Sequence, residues 1–231
     1  MGGEVTYSFQ NFIHKSIIRN GEKMEIVNPQ LSEYMLKLTP ERNAVLQEME
    51  KYGASQDFPL IGPLCGRFLQ QLALISNAQY IFEMGSGFGY SAIWFAQGIP
   101  EHGKIVCSDG DPENQARALN YFRQAGVEHK IEFHVGIAQD ILTQFDGPFD
   151  IIFNDIDKHE YPDILDLVVP RLRQGGIFIT DNVLWDGKVV DEPDDKYTEG
   201  IKRFNQLIYR RQDLITTIIP LRDGLSLSVK I

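Results

Sequence analysis

The stretch Tyr80-Ile81-Phe82-Glu83-Met84-Gly85-Ser86-Gly87-Phe88-Gly89-Tyr90-Ser91 constrains this chain more than any other. An apolar run reaches an acid, glycines alternate through a turn, and Ala92-Ile93-Trp94-Phe95-Ala96 follows with the composition of a helix. Alternating glycines allow a sharp turn and the close approach of a ligand where a Cβ would collide. A helix opening there leaves free N–H groups facing the turn. Such a strand–turn–helix unit marks the nucleotide or nucleoside site of doubly wound α/β folds; a plain tight turn is the alternative. The spacing is Gly-x-Gly-x-Gly, without the third glycine of a pyrophosphate-binding helix and without the Lys-Ser/Thr ending of a P-loop.

Around that unit the pattern alternates. Strands are expected at 80–84, 104–109, 130–135, 149–154 and 176–181, with helices near 90–97, 113–125, 138–144 and 161–172. Gly126 and Gly175-Gly176 read as stops for two of these helices. Near-continuous apolar strands such as Phe149-Asp150-Ile151-Ile152-Phe153 imply a parallel sheet covered on both faces. Upstream, Asn28-Pro29 and Thr39-Pro40 each set a capping residue before a proline, predicting helices at 29–37 and 40–52, the second closed by Gly53. A further helix is read at 63–75. After a helix at 196–210, the apolar segments 214–221 and 225–231 flank Arg222-Asp223-Gly224 as a hairpin, so the last strand should be antiparallel. The acidic loop Asp191-Glu192-Pro193-Asp194-Asp195 is a candidate mobile lid.

Ligands in such sheets bind beyond the carboxyl ends of the strands. The first strand ends in the glycine turn. The second ends at Asp109-Gly110, where an acid can accept both hydroxyls of a ribose or serve only the turn. Beyond the third lie Ala138 and Gln139, which could meet an adenine edge or cap a helix. The fourth ends in Asn154-Asp155-Ile156-Asp157-Lys158 and the fifth in Thr180-Asp181-Asn182. A crossover brings those two ends together, so Asp155, Asp181 and Asn182 offer three oxygen ligands on one edge. Hard oxygen donors without His or Cys select Mg²⁺, Ca²⁺ or Mn²⁺. Lys158 can point into the same space, or stand on the surface. The five histidines are scattered, with no ligand-like partner spacing, and no nucleophile elbow or Cys/His pair supports covalent hydrolysis.

The formal net charge of −10 speaks against a large phosphate-rich partner. Two cysteines, Cys65 and Cys107, form no disulfide framework or zinc spacing, which suits a reducing cytoplasm. No apolar run is long enough to cross a bilayer.

Three motifs, Glu83–Ser91, Asp155-Ile156-Asp157-Lys158-His159-Glu160-Tyr161 and Asp181-Asn182-Val183-Leu184-Trp185, together resemble the cation-dependent O-methyltransferases of catechol and caffeoyl-CoA type. The resemblance covers residues 24–231 as one domain and leaves 1–23 as an extension. It implies a Rossmann-like class I S-adenosylmethionine methyltransferase fold: an α/β seven-stranded, mostly parallel sheet with an antiparallel last strand and helices on both faces. It implies that Glu83, Gly85, Ser86, Gly87, Gly89 and Ser91 hold the methionine part of S-adenosylmethionine. Asp109 with Gly110 would take the ribose, Ala138 and Gln139 the adenine, and Ile61-Gly62 would close over the cofactor. Asp155, Asp181 and Asn182 match the family's metal ligands, Asp155 also lying beside the cofactor and the reacting centre, and Lys158 matches its catalytic lysine. The implied acceptor is a small hydroxylated aromatic with a vicinal diol, and a homodimer is expected. Methylation of a tRNA hydroxyl is the alternative within the enzyme class, opposed by the acidic balance. A binding protein that has lost the chemistry and a dehydrogenase are the others. The intact Lys158 and ligand set oppose the first, and the glycine spacing the second.

Overall fold

The chain's architecture follows from strands that are apolar on both faces. In the computed structural model, residues 25–192 and 195–231 are described; the expected extension 1–23 lies outside them. Seven strands form one sheet: β1 (Tyr80–Met84), β2 (Lys104–Asp109), β3 (Ile131–Val135), β4 (Phe149–Asn154), β5 (Leu172–Thr180), β6 (Leu214–Ile219) and β7 (Leu225–Lys230). Their order is β3-β2-β1-β4-β5-β7-β6. The pairs among β1 to β5 are parallel, and β7 runs antiparallel to both β5 and β6. The order reverses between β1 and β4, so the crevice of the fold opens at their carboxyl ends.

Helices α1 (Pro29–Leu38), α2 (Ala44–Ser55), α3 (Gly62–Ile75), α4 (Tyr90–Gly98), α5 (Pro112–Ala125), α6 (Ala138–Leu142), α7 (Leu165–Val168) and α8 (Lys196–Arg210) accompany the sheet. Successive strand residues point to opposite faces. Ile81, Cys107, Ile151 and Phe153 therefore pack under α2 to α5. Phe82, Met84, Ile152 and Phe178 pack with side chains of α6, α7 and α8 on the other face. Gly98 lets α4 lie close on α3, since a Cβ there would stand 2.6 Å from the Gln70 carbonyl and 2.8 Å from the Ala73 Cβ.

Three local readings change. Helix α2 begins at Ala44, with Asn43 accepting from the Leu46 N–H at 2.9 Å, and it runs through Gly53 to Ser55. Thr39 instead closes α1, its hydroxyl donating to the Met35 carbonyl at 2.9 Å, while Gly53 is a packing position against Leu60. The helix expected at 161–172 is three short pieces, 3₁₀ at Lys158–Ile164, then α7, then 3₁₀ at Val169–Arg171. Pro162 and Pro170 each withhold a backbone donor there. Gly175-Gly176 do not stop that helix. Strand β5 already starts at Leu172, and Gly175 at φ +71 marks the irregular pairing with β4.

Candidate active site

The glycine turn is built mainly for packing. Gly85 adopts φ +80, and a Cβ on it would lie 2.5 Å from the Asp155 carbonyl; glycine lets the ends of β1 and β4 meet. Gly87 faces the Phe58 ring and Gly89 the Phe122 ring in the same way. The N–H groups of Gly85 and Ser86 both donate to the Ser108 carbonyl, at 3.0 and 2.9 Å. Gly87 donates to Asp109 Oδ2 at 2.9 Å, while Asp109 Oδ1 accepts from the Asp111 N–H and from Asn114 Nδ2. Asp109 thus ties the turn to β2, and its remaining lone pairs face a cleft.

That cleft has a volume of about 590 Å³. Gly85, Ser86, Gly87 and Ser91 form its floor, Asp109 and Gly110 one wall, and Ala138 and Gln139 another; Ile61, Asp155 and Lys158 border it as well. The structure brings these expected residues together. Gly62, Glu83 and Gly89 are not in its wall. Glu83 is fully buried beneath the turn, where the Ser91 hydroxyl donates to Oε1 and the Cys107 thiol lies 3.6 Å from Oε2. Burial pushes its carboxyl up to about 7, and the hydrogen bond from Ser91 offsets this only in part. Gln139 gives its amide to Glu160 Oε2 at 2.5 Å. Ser86 Oγ is buried and has no partner among the described residues.

Asp155 follows β4, its N–H donating to the Met84 carbonyl at 2.9 Å, and Asp181 follows β5, its N–H donating to the Asn154 carbonyl at 3.1 Å. The register of Asn154 with Thr180 sets these two acids side by side, as the crossover argument anticipated. Asn182 takes φ +60 at the same edge. Each acid meets a protein cation. Lys158 Nζ stands 2.6 Å from Asp155 Oδ1, and Arg222 Nη1 stands 3.1 Å from Asp181 Oδ2. Asp181 Oδ1 is buried without a partner among the described residues. Burial and the neighbouring Asp155 charge push the Asp181 carboxyl up, and Arg222 draws it back. Asn182 Nδ2 lies 3.4 Å from Asp223 Oδ2.

A second cavity of about 510 Å³ opens on this acidic edge, between Asn182, Trp185, Arg222 and Val27. Pro59, Leu60, Ile61, Asp155 and Lys158 border both cavities, so the two meet at one carboxylate and one amine. Phe58, Pro59, Leu60, Trp185 and Arg222 were not singled out from sequence. Arg222 sits in what reads as an ordinary hairpin turn, and Trp185 reaches the cavity from a left-handed pair, φ +48 at Trp185 and φ +51 at Asp186, that no local pattern announces. His159, read as lacking a ligand-like partner, lies within 4.8 Å of Asp157 and Glu160 in a cluster at the rim. In the acidic loop, Asp195 is the N-cap of α8, accepting from the Tyr197 and Thr198 N–H groups; residues 193 and 194 lie outside the described ones. Among the described residues no helix is long and apolar enough to cross a membrane.

Comparison with known proteins points the same way. A family model described as O-methyltransferase matches residues 37–231. A catechol O-methyltransferase of Niastella koreensis is 34% identical over 73% of this chain and 81% of its own length. Caffeoyl-CoA O-methyltransferase 2 of Populus trichocarpa is 31% identical over 91% of this chain and 92% of its own. Among solved structures, the O-methyltransferase TomG of Streptomyces achromogenes, in complex with SAM, superposes with a TM-score of 0.80 at 29% identity, covering 87% of this chain and 96% of that one.

Proposed function

The chain belongs to the O-methyltransferase family, and from that premise we propose that it transfers a methyl group from S-adenosylmethionine to one hydroxyl of a small catechol-type vicinal diol, with a divalent cation at the acidic edge. One observation carries this reading: two cavities, one floored by the glycine turn, share Asp155 and Lys158 as a common wall. Two molecules bound in them would meet there, and aligned reactants held in contact account for much of such a reaction's acceleration.

The residues fit both groups. The cleft presents Asp109 lone pairs and the unpartnered buried Ser86 Oγ to an adenosyl ligand. At the edge, the orphaned Asp181 Oδ1, with Asp155 and the Asn182 amide, forms an all-oxygen donor set suited to Mg²⁺, and also to Ca²⁺ or Mn²⁺. Bound there, such a cation would supply Lewis-acid polarisation of the acceptor oxygen. Asp155 borders both cavities and holds Lys158 at their junction. From the junction Lys158, once it has released its own proton, can take the proton of the acceptor hydroxyl. The sulfonium S–CH₃ bond breaks as the O–CH₃ bond forms, leaving neutral thioether and methyl ether. The rings of Tyr52, Phe58 and Phe88 pack against one another beside the turn, and Phe58 adds an apolar surface to the cleft.

Incubation with trideuteromethyl S-adenosylmethionine, Mg²⁺ and, in separate arms, a catechol, the matching monophenol and bulk tRNA tests the acceptor class. Mass spectrometry should find the label on the catechol alone; equal labelling of the monophenol, or label in tRNA nucleosides, would contradict the reading. The same reading includes a homodimer. Helix α1 has no buried residue and exposes Leu31, Tyr34 and Leu38, and a monomer mass by light scattering at micromolar concentration would oppose it. Free, buried Cys65 and Cys107 suit the cytoplasmic setting read from the sequence; labelling of cells with a compartment-specific biotin ligase would check it.

A further inference from the structure

Both acidic residues at the edge already carry a cation of the chain's own. Lys158 has a role in the chemistry proposed above, whereas Arg222 has none. Its guanidinium reaches Asp181 Oδ2 from the tip of the β6–β7 hairpin, at 3.1 Å and through Nη1 alone. A single long contact is a weak use of a fork that can bond a carboxylate twice. The side chain is about one-third exposed, whereas its partner carboxylate is almost wholly buried. Arg222 therefore has a solvent route away from Asp181, whereas Asp181 is shut off from bulk solvent.

The backbone fixes the guanidinium's starting point without using the side chain. Val183 donates to the Gly224 carbonyl at 3.0 Å and Leu184 to the Asp223 carbonyl at 3.0 Å. The Asp186 N–H donates to Asp223 Oδ1. The hairpin tip is thus clamped onto the segment that carries Asn182 and Trp185. Arg222 itself takes φ +52, a conformation that glycine adopts more readily.

Resting on the metal-dependent reading above, we infer that Arg222 is a built-in stand-in cation for Asp181, one that neutralises the buried carboxylate before metal arrives and sets metal affinity by having to move aside. A buried carboxylate left without a counter-charge is strongly destabilising, so the resident arginine lets the chain fold metal-free. A guanidinium and a divalent ion on one carboxylate repel each other at short range. Arg222 thereby weakens metal binding and keeps the ion exchangeable. It is a positioning residue, since it acts through Asp181.

The test is direct Mn²⁺ binding, by calorimetry and by electron paramagnetic resonance of free Mn²⁺, on the full chain and on Arg222→Gly and Arg222→Gln, with melting temperatures at zero and saturating Mn²⁺. Arg222→Gly and Arg222→Gln should tighten Mn²⁺ by about tenfold or more. They should melt lower than wild type without metal and rise more on adding it. Folding of Arg222→Gly only when Mn²⁺ is present is the extreme form of the same result. Equal affinities in wild type and both variants, or variants that stay unfolded at saturating Mn²⁺, overturn the inference while leaving the metal site standing. A wild-type chain that binds no Mn²⁺ at millimolar concentration removes the reading on which it rests.

Discussion

Glu83 shows how one residue can carry two demands. It lies one residue before the end of β1, is fully buried, and is bonded by Ser91 rather than by a cation. Its carboxyl, raised from 4.5 to about 7, holds a proton in the folded state that the unfolded chain has released. The native state therefore binds more protons between those values, and stability is lost as pH rises through that window. Glu83→Gln removes the titration. Its stability relative to wild type should grow between about pH 4.5 and 7, level off above, and reach on the order of 3 kcal/mol. Urea unfolding of both proteins at pH 5 and pH 8 measures this, and a difference independent of pH would contradict it. The acid was legible in the sequence as part of the turn. Its enclosure was not, because burial depends on Cys107 and Ser91 arriving from β2 and α4.

At the scale of elements, glycines turn out to decide which pieces can touch. The sequence read the glycine turn as room for a ligand, but the atoms facing those absent Cβ positions are the Asp155 carbonyl and the rings of Phe58 and Phe122. The turn still floors the cleft, and its walls come from Asp109, Gly110 and the α6 start, which local pattern did suggest. Gly98 has the same packing role between α3 and α4. Gly98→Ala gains helix propensity of about 1 kcal/mol but drives a methyl into the Gln70 carbonyl, and overpacking typically costs about 1–3 kcal/mol. The overpacking should win. Calorimetry should find a melting temperature lower by about 2–6 °C, and an unchanged or higher value would show that α3 and α4 separate freely. The broken helix at 158–171 was hidden for a related reason. Its apolar spacing is helical, but Pro162 and Pro170 lack backbone donors and leave 3₁₀ turns on either side of α7.

Over the whole molecule, the strands and the antiparallel end were legible because period, apolar runs and a hairpin turn all agreed, whereas the strand order came only with the structure. The acidic edge was legible because strand ends are the one place a crossover predicts proximity without knowing side-chain packing. Arg222 and Trp185 were not, since they reach the second cavity from the hairpin tip and from a loop whose conformations, φ +52 and φ +48, no periodicity announces. These pieces give two cavities joined at Asp155 and Lys158, and the proposed reaction calls for a cation between them. The measurement that bears on this most directly is transfer of a labelled methyl group from S-adenosylmethionine to catechol, followed with Mg²⁺, with excess EDTA, and after Mg²⁺ is restored. Transfer should fall by on the order of a hundredfold or more in EDTA and return with Mg²⁺; transfer that continues undiminished in EDTA, or that never occurs with Mg²⁺ present, would contradict the account.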